Sequence, residues 1–116
     1  MTRNDASKLY GTLNLLLLQT VAEGGPLHGL KIRDRIHHLT RDVLHIEDGA
    51  LYPALHRLER DGLLRSEWGI SDQRRRAKFY ALTRAGAEHL KRETRTWEAH
   101  TEAVARVLKP ATGSGT

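Results

Sequence analysis

The stretch from Glu47 to Leu64, EDGALYPALHRLERDGLL, limits what this chain can become more than any other. Leu51, Leu55 and Leu58 recur at spacings of four and three, which lays one apolar stripe along a helix. Asp48 stands where a side-chain oxygen can accept hydrogen bonds from the free N–H groups of a first turn. Gly62 can take the left-handed conformation that stops a helix, after which Leu63 folds back on the last turn. Pro53 comes early, where a missing N–H costs little and the first turn can bend. The face opposite the leucines carries Tyr52, His56, Arg57 and Arg60, all hydrogen-bonding and two of them cationic. A short basic helix of this kind fits a DNA major groove, which admits one helix. The competing reading is a surface helix with a solvated charged face.

The flanking chain decides between them. With 116 residues, one domain is expected, large enough for a core and small enough for oligomerisation to matter. A formal charge of +5 and a pI near 10.0 point to a polyanionic partner, nucleic acid ahead of a membrane surface. Without cysteine there is no disulfide framework, thiolate metal site or cysteine nucleophile. The polar start MTRNDASK and apolar runs no longer than Leu15 to Leu18 give no signal peptide or membrane span, so cytoplasmic placement is the expectation.

In chain order, residues 1–8 read as a flexible N-terminus by composition. Thr12 opens an apolar block in which Leu13, Leu16, Leu17 and Val21 share a helical face with Leu15 and Leu18 beside it, so this helix belongs at the centre of the core. Gly24 and Gly25 end it. Pro26 starts a second helical unit patterned by Leu27, Leu30, Ile32, Ile36 and Leu39. Val43 to Ile46 is a short β-prone stretch leading into the basic helix. Two helices and a short connection, the second helix basic, form a helix-turn-helix pattern.

Beyond Gly62 the period changes. LLRSEWGI and RRAKFYALT suit strands, and the polar SDQRRR between them suits a turn, so the segment reads as a β-hairpin. Arg74, Arg75 and Arg76 crowd its tip, with Lys78 close behind. A hairpin after a basic helix is the wing of a winged helix-turn-helix, set along phosphates or into the minor groove; a solvated turn is the alternative. Thr83 is a good N-cap for a helix from about Arg84 to Leu108, roughly 37 Å long. Leu90, Trp97 and Val104 recur every seven residues on it, and Thr94, Thr101 and Leu108 follow on the adjacent row. Pairing with the same helix of a second copy follows, with Leu90, Trp97, Val104 and Leu108 as interface residues; folding back onto the chain's own core is the alternative. The expected organisation is a DNA-binding domain at 9–82, a dimerisation helix at 83–108 and a disordered tail at 109–116. The fold class is mainly α with one small β-hairpin.

On these motifs the chain resembles the PadR family of bacterial transcriptional regulators. GTLNLLLL (Gly11 to Leu18) is similar to the family's opening GTLDLL, PLHGLKI (Pro26 to Ile32) to its P-x-H/Y-G-Y-x-I segment, and the Glu47–Leu64 stretch to its recognition helix. RRAKFYALTRAG (Arg75 to Gly86) matches the strand leaving the wing and the start of the last helix. The resemblance covers roughly residues 9 to 108, with Asn14 standing where Asp is usual and Leu30 where Tyr is common. It implies a homodimeric winged-helix repressor on double-stranded promoter DNA with a pseudo-palindromic operator. It also implies DNA contacts from Tyr52, Pro53, His56 and Arg57 on the helix and from Arg74, Arg75, Arg76 and Lys78 on the wing. Arg57 is suited to two hydrogen bonds with guanine, while Tyr52 has core packing as its alternative. A small-molecule effector site between the terminal helix and the core would use Leu13, Leu17 and Trp97, unless Trp97 only fills the dimer interface.

Other functions find less support. His89, Glu93 and His100 share one face of the last helix and His37 adjoins His38, but helical spacing of this kind is common, and no metal or cofactor is expected. There is no Gly-rich phosphate loop or nucleophile elbow and no carboxylate pair near an evident pocket, so the chain is not expected to be an enzyme. The alternative to a sequence-reading regulator is a dimeric ligand- or metal-responsive interaction protein with weak or non-specific DNA binding.

Overall fold

The computed structural model describes residues 2–109, with side chains from Thr12 onward. Helix α1 (Thr2–Gly24) leads to a two-residue strand β1 (Leu27–His28), helix α2 (Gly29–Leu39) and helix α3 (Asp48–Arg60). Strands β2 (Leu64–Ile70) and β3 (Arg76–Leu82) form the hairpin, and α4 (Arg84–Leu108) closes the order. This is a winged helix-turn-helix carrying one long additional helix. Residues 2–8, expected as a flexible end, continue α1 as helical backbone. The tail from 110 to 116 lies outside the described residues.

The core forms where the apolar stripes meet. Leu17, Leu18 and Val21 of α1 are buried with Ile32 and Ile36 of α2 and with Leu51, Ala54, Leu55 and Leu58 of α3. Leu64 and Tyr80 from the sheet and Leu90 from α4 complete it. The buried hydroxyl of Thr20 donates to the Leu16 carbonyl at 2.7 Å, so no cost of an unmade hydrogen bond attaches to it. α1 thus occupies the central place its all-round apolar pattern implies.

Two details of α3 differ from expectation at one end and agree at the other. The N-cap is Glu47, whose side chain makes no capping bond. Asp48 is instead the first helical residue, and its carboxylate is drawn off to Arg33 of α2 at 2.8 Å. It still favours the helix start, because a negative charge there meets the positive end of the dipole. At the other end Gly62 has φ +79; its N–H donates to the Glu59 carbonyl at 3.0 Å and the Leu63 N–H to the Leu58 carbonyl at 2.9 Å. That pair of bonds is the Schellman stop.

The expected β-prone stretch at Val43 to Ile46 is not a strand. Arg41 and Asp42 turn through left-handed backbone, φ 51 and 63, and side chains take the amides a sheet would have used. The Leu44 N–H donates to Thr40 Oγ1 at 3.2 Å and the Ile46 N–H to His37 Nε2 at 3.0 Å. The extra strand lies earlier: Leu27 and His28, expected at a helix start, pair antiparallel with Tyr80 and Phe79. The sheet order is therefore β1-β3-β2.

Candidate nucleic-acid interface

The register of the hairpin sets which side chains face α3. Ser66, Trp68 and Ile70 lie opposite Tyr80, Lys78 and Arg76 across the β2–β3 ladder. Alternation puts all six on one face of the sheet. That face is tied to α3 through Glu59, which accepts from the Ser66 hydroxyl at 2.6 Å and from Lys78 Nζ at 3.4 Å. The Ser66 hydrogen bond, helped by the positive charge of Lys78, holds the Glu59 carboxyl below the ordinary glutamate range, although partial burial works the other way.

A carboxyl with a depressed folded pKa binds protons less readily than in the unfolded chain. Its stabilisation is complete above the unfolded pKa and is lost as pH falls through the folded one. Glu59→Gln is therefore expected to cost about 1 kcal/mol at neutral pH, the worth of a charge-assisted bond at a partly exposed site. The gap should close on acidification. Urea unfolding of both proteins at pH 7 and at successively lower pH below the ordinary glutamate range checks this, and a gap that does not narrow would assign the effect to packing.

The wing tip closes on itself. The Ser71 N–H donates to the Arg75 carbonyl at 2.8 Å, and the Arg74 N–H to the Ser71 carbonyl at 2.8 Å. Arg74 adopts φ 59, and the side chains of Arg74, Arg75 and Arg76 are exposed. Lys31 on α2 reaches Asp72 in the turn at 3.4 Å, an exposed pair worth little in stability. Arg76 lies 4.5 Å from the ring centre of Trp68 and Lys78 lies 5.9 Å from it.

On α3 the expected residues divide. Pro53 and His56 are exposed and Tyr52 is 44% exposed. The ring of Tyr52 rests on the start of α2 at Gly29, where a Cβ would come within 2.7 Å of it and push the ring aside. Tyr52 is therefore packed against α2 on one side and open to solvent on the other, and it is not part of the core cluster. Arg57 is only partly exposed and its Nη2 is buried, so its full fork is not turned outward as the two-bond reading of guanine assumes. Lys78 is engaged with Glu59 rather than projecting freely. Tyr52, Arg75, Arg76 and Lys78 nevertheless border one cleft, so the helix and wing candidates share a surface. Gly29 and Trp68 border the same cleft and were not anticipated, nor were Glu59 and Ser66, which join α3 to the wing beside it. Only the alternation of the two strands could have drawn Ser66 and Trp68 out.

The other expected groupings come apart. Leu90 belongs to the chain's own core at 8% exposure, whereas Trp97, Val104 and Leu108 stand exposed farther along α4. The interface stripe is thus divided: α4 spends its first turns on the core and offers only the remainder outward. Leu17 has no exposed surface. Leu13 lines a small apolar groove with Thr12, Leu16, Leu44 and Ile46, and Trp97 is not part of that groove. Among the described residues, that groove does not bring Leu13, Leu17 and Trp97 together. Among the described residues no three His, Asp or Glu side chains gather to hold a metal ion, and no helix is long and apolar enough to cross a membrane.

Residues 17–92 match the model of the Transcriptional regulator PadR-like family. The chain is 40% identical over 78 residues to Transcriptional regulator Rv3488 of Mycobacterium tuberculosis, across 67% of this chain and 72% of that protein. Among solved structures it is similar to a PadR-like transcription factor from Bacteroides fragilis, at 27% identity and a TM-score of 0.74 over 90% of this chain and 98% of that one. It is also similar to a PadR family transcriptional regulator from Eggerthella lenta, at 28% identity and a TM-score of 0.72 over 93% and 92%.

Proposed function

The chain belongs to the PadR-like family of transcriptional regulators, which are not enzymes, and from that premise we propose that it is a homodimeric repressor of promoter DNA. The observation that carries this reading is the shared border of α3 and the wing. Exposed Tyr52 from the helix and Arg75 and Arg76 from the hairpin flank one cleft. A helix presented to the major groove beside cations presented to phosphate divides the work in the usual way: phosphate contacts position and base contacts specify. Tyr52, Pro53 and His56 are the base-proximal set, Arg57 contributes the part of its guanidinium that reaches solvent, and Arg74, Arg75 and Arg76 hold the backbone. Lys78 acts chiefly by fixing the wing to α3 through Glu59.

The dimer rests on α4. Trp97, Val104, Val107 and Leu108 are 41–74% exposed on it, and such apolar side chains along one helix suit a partner surface. A second copy of α4 supplies that surface and sets the two recognition helices about one duplex turn, ~34 Å, apart. Trp97→Ala is expected to weaken the dimer, with monomer appearing by light scattering at low micromolar concentration. An unchanged mass would count against the interface.

The repressor works in the cytoplasm by occupying a pseudo-palindromic operator, and an effector that alters the angle between the two winged units releases it. The coupling has a physical route. Thr83, the N-cap of α4, donates through Oγ1 to the Gly62 carbonyl at 2.7 Å and through its N–H to the Leu63 carbonyl at 3.2 Å. Motion of α4 is thereby passed to the joint between α3 and β2. A nuclease footprint on the DNA upstream of its own gene tests the reading. Two protected half-sites about one turn apart are expected. A single protected half-site would contradict the dimeric arrangement.

A further inference from the structure

The cleft between α3 and the wing has a lining that DNA contact alone does not explain. Its volume is about 330 Å³, within the range that small organic ligands occupy. Tyr52, Trp68 and Tyr80 supply aromatic surface from α3 and both strands, while Arg75, Arg76 and Lys78 supply cations from the wing. Burial, with Asp48 acting on Tyr52 and Glu59 on Tyr80, raises both phenol pKa values, so both stay protonated and able to donate at neutral pH. Ser71 and Gln73 add polar groups, and no carboxylate is among the lining residues. The nearby acids are occupied outside it, Glu59 with Ser66 and Lys78 and Asp72 with Lys31. The cation over Trp68 has an open side: Arg76 and Trp68 are both exposed.

A surface with aromatic faces, several donors and no carboxylate in its lining favours a flat ring bearing a negative group. The ring would lie on Trp68 and Tyr52, and the anion would meet the guanidinium groups, which favour planar two-bond recognition of carboxylate, sulfonate or phosphate.

We propose that this cleft binds a planar organic anion and that its occupant competes with DNA for Arg75 and Arg76. The competition rests on the DNA-binding reading; the binding does not. An occupant here would act directly on the DNA-facing surface, with no need to move α4.

The probe is naphthalene-2-sulfonate, with 2-naphthol as the neutral ring of the same shape. Proton–nitrogen correlation spectra of the full chain report the two indole N–H groups, Trp68 and Trp97, told apart with Trp97→Phe. The sulfonate is expected to shift the Trp68 signal and leave that of Trp97 in place. Binding should weaken about tenfold for 2-naphthol and about tenfold in the Arg75→Gln, Arg76→Gln double variant, whose exposed changes leave the core intact. A shift at Trp97 alone, equal affinity for the neutral ring, or no shift up to roughly 10 mM would overturn the site. Saturating sulfonate should also weaken operator binding by the wild type but not by Trp68→Ala. Unaltered operator affinity with the Trp68 signal shifted would overturn the competition and leave the site standing. If the protein binds no DNA at all, the regulator reading fails, and the indole shift still decides the site.

Discussion

Changing Arg74, Arg75 and Arg76 together to glutamine is expected to reduce operator affinity roughly ten- to a thousandfold at low salt and to flatten its salt dependence. Each phosphate neutralised by a cation releases counterions and adds about 0.9 to the slope of log K against log salt. Three arginines on phosphate therefore remove about 2.7 from that slope. Glutamine keeps an unbranched polar side chain, although a shorter one, and adds no new backbone demand at Arg74, which already sits at φ 59. The fold should hold, because all three side chains are exposed and none belongs to the core. The loss should fall nearly equally on operator and scrambled duplexes, since phosphate carries no sequence. Anisotropy titrations at several salt concentrations measure both quantities. An unchanged slope would mean the wing tip faces solvent and the DNA-facing surface has been misplaced.

Gly86→Ala is expected to destabilise the chain by about 1–3 kcal/mol or more, although helix propensity alone predicts the opposite sign. In an exposed helix interior, alanine in place of glycine stabilises by about 1 kcal/mol. Gly86 is not exposed: it sits in the first turn of α4, buried, and its N–H donates to Thr83 Oγ1 at 2.9 Å. A Cβ there would run into the backbone carbonyl of Leu63 and also crowd Leu82. Backbone cannot swing aside as a side chain can, so the start of α4 would have to lift off the joint between α3 and β2. Urea unfolding gives the sign directly. The same displacement should disturb the seat of the wing, and DNA affinity should fall with stability. A stabilised variant would show that α4 does not pack this closely.

What could be read in the sequence was local and periodic. The leucine spacing of α3, its stop at Gly62 and the cap at Thr83 each involve residues within one or two turns of each other, and all three stand as expected. The hairpin was legible from strand-forming runs around a polar turn, and the exposed arginines of its tip from charge alone. What was not legible depends on distant partners. Asp48 has the chemistry of a cap, but Arg33, fifteen positions earlier, claims its carboxylate. Val43 to Ile46 is apolar and β-branched enough for a strand, yet side chains of Thr40 and His37 take its amides. Two residues are too few to show a period, so β1 was hidden in what looked like a helix start. The seven-residue spacing of Leu90 and Trp97 says that they share a face, and nothing in it says which surface covers each. The same limit applied at the site. Trp68 came into view only with the strand register, and Lys78 could be assigned to Glu59 only after α3 and the hairpin were docked.

The central claim is that α3 and the wing together read a specific DNA sequence. Its most direct test is fluorescence anisotropy of the wild-type protein against the DNA upstream of its own gene and against a scrambled duplex of equal length, at two salt concentrations. The account predicts tighter binding to the upstream DNA, by roughly a thousandfold or more, with a steep loss of affinity on raising salt. Equal affinity for the two duplexes, or none for either at low salt, would contradict it.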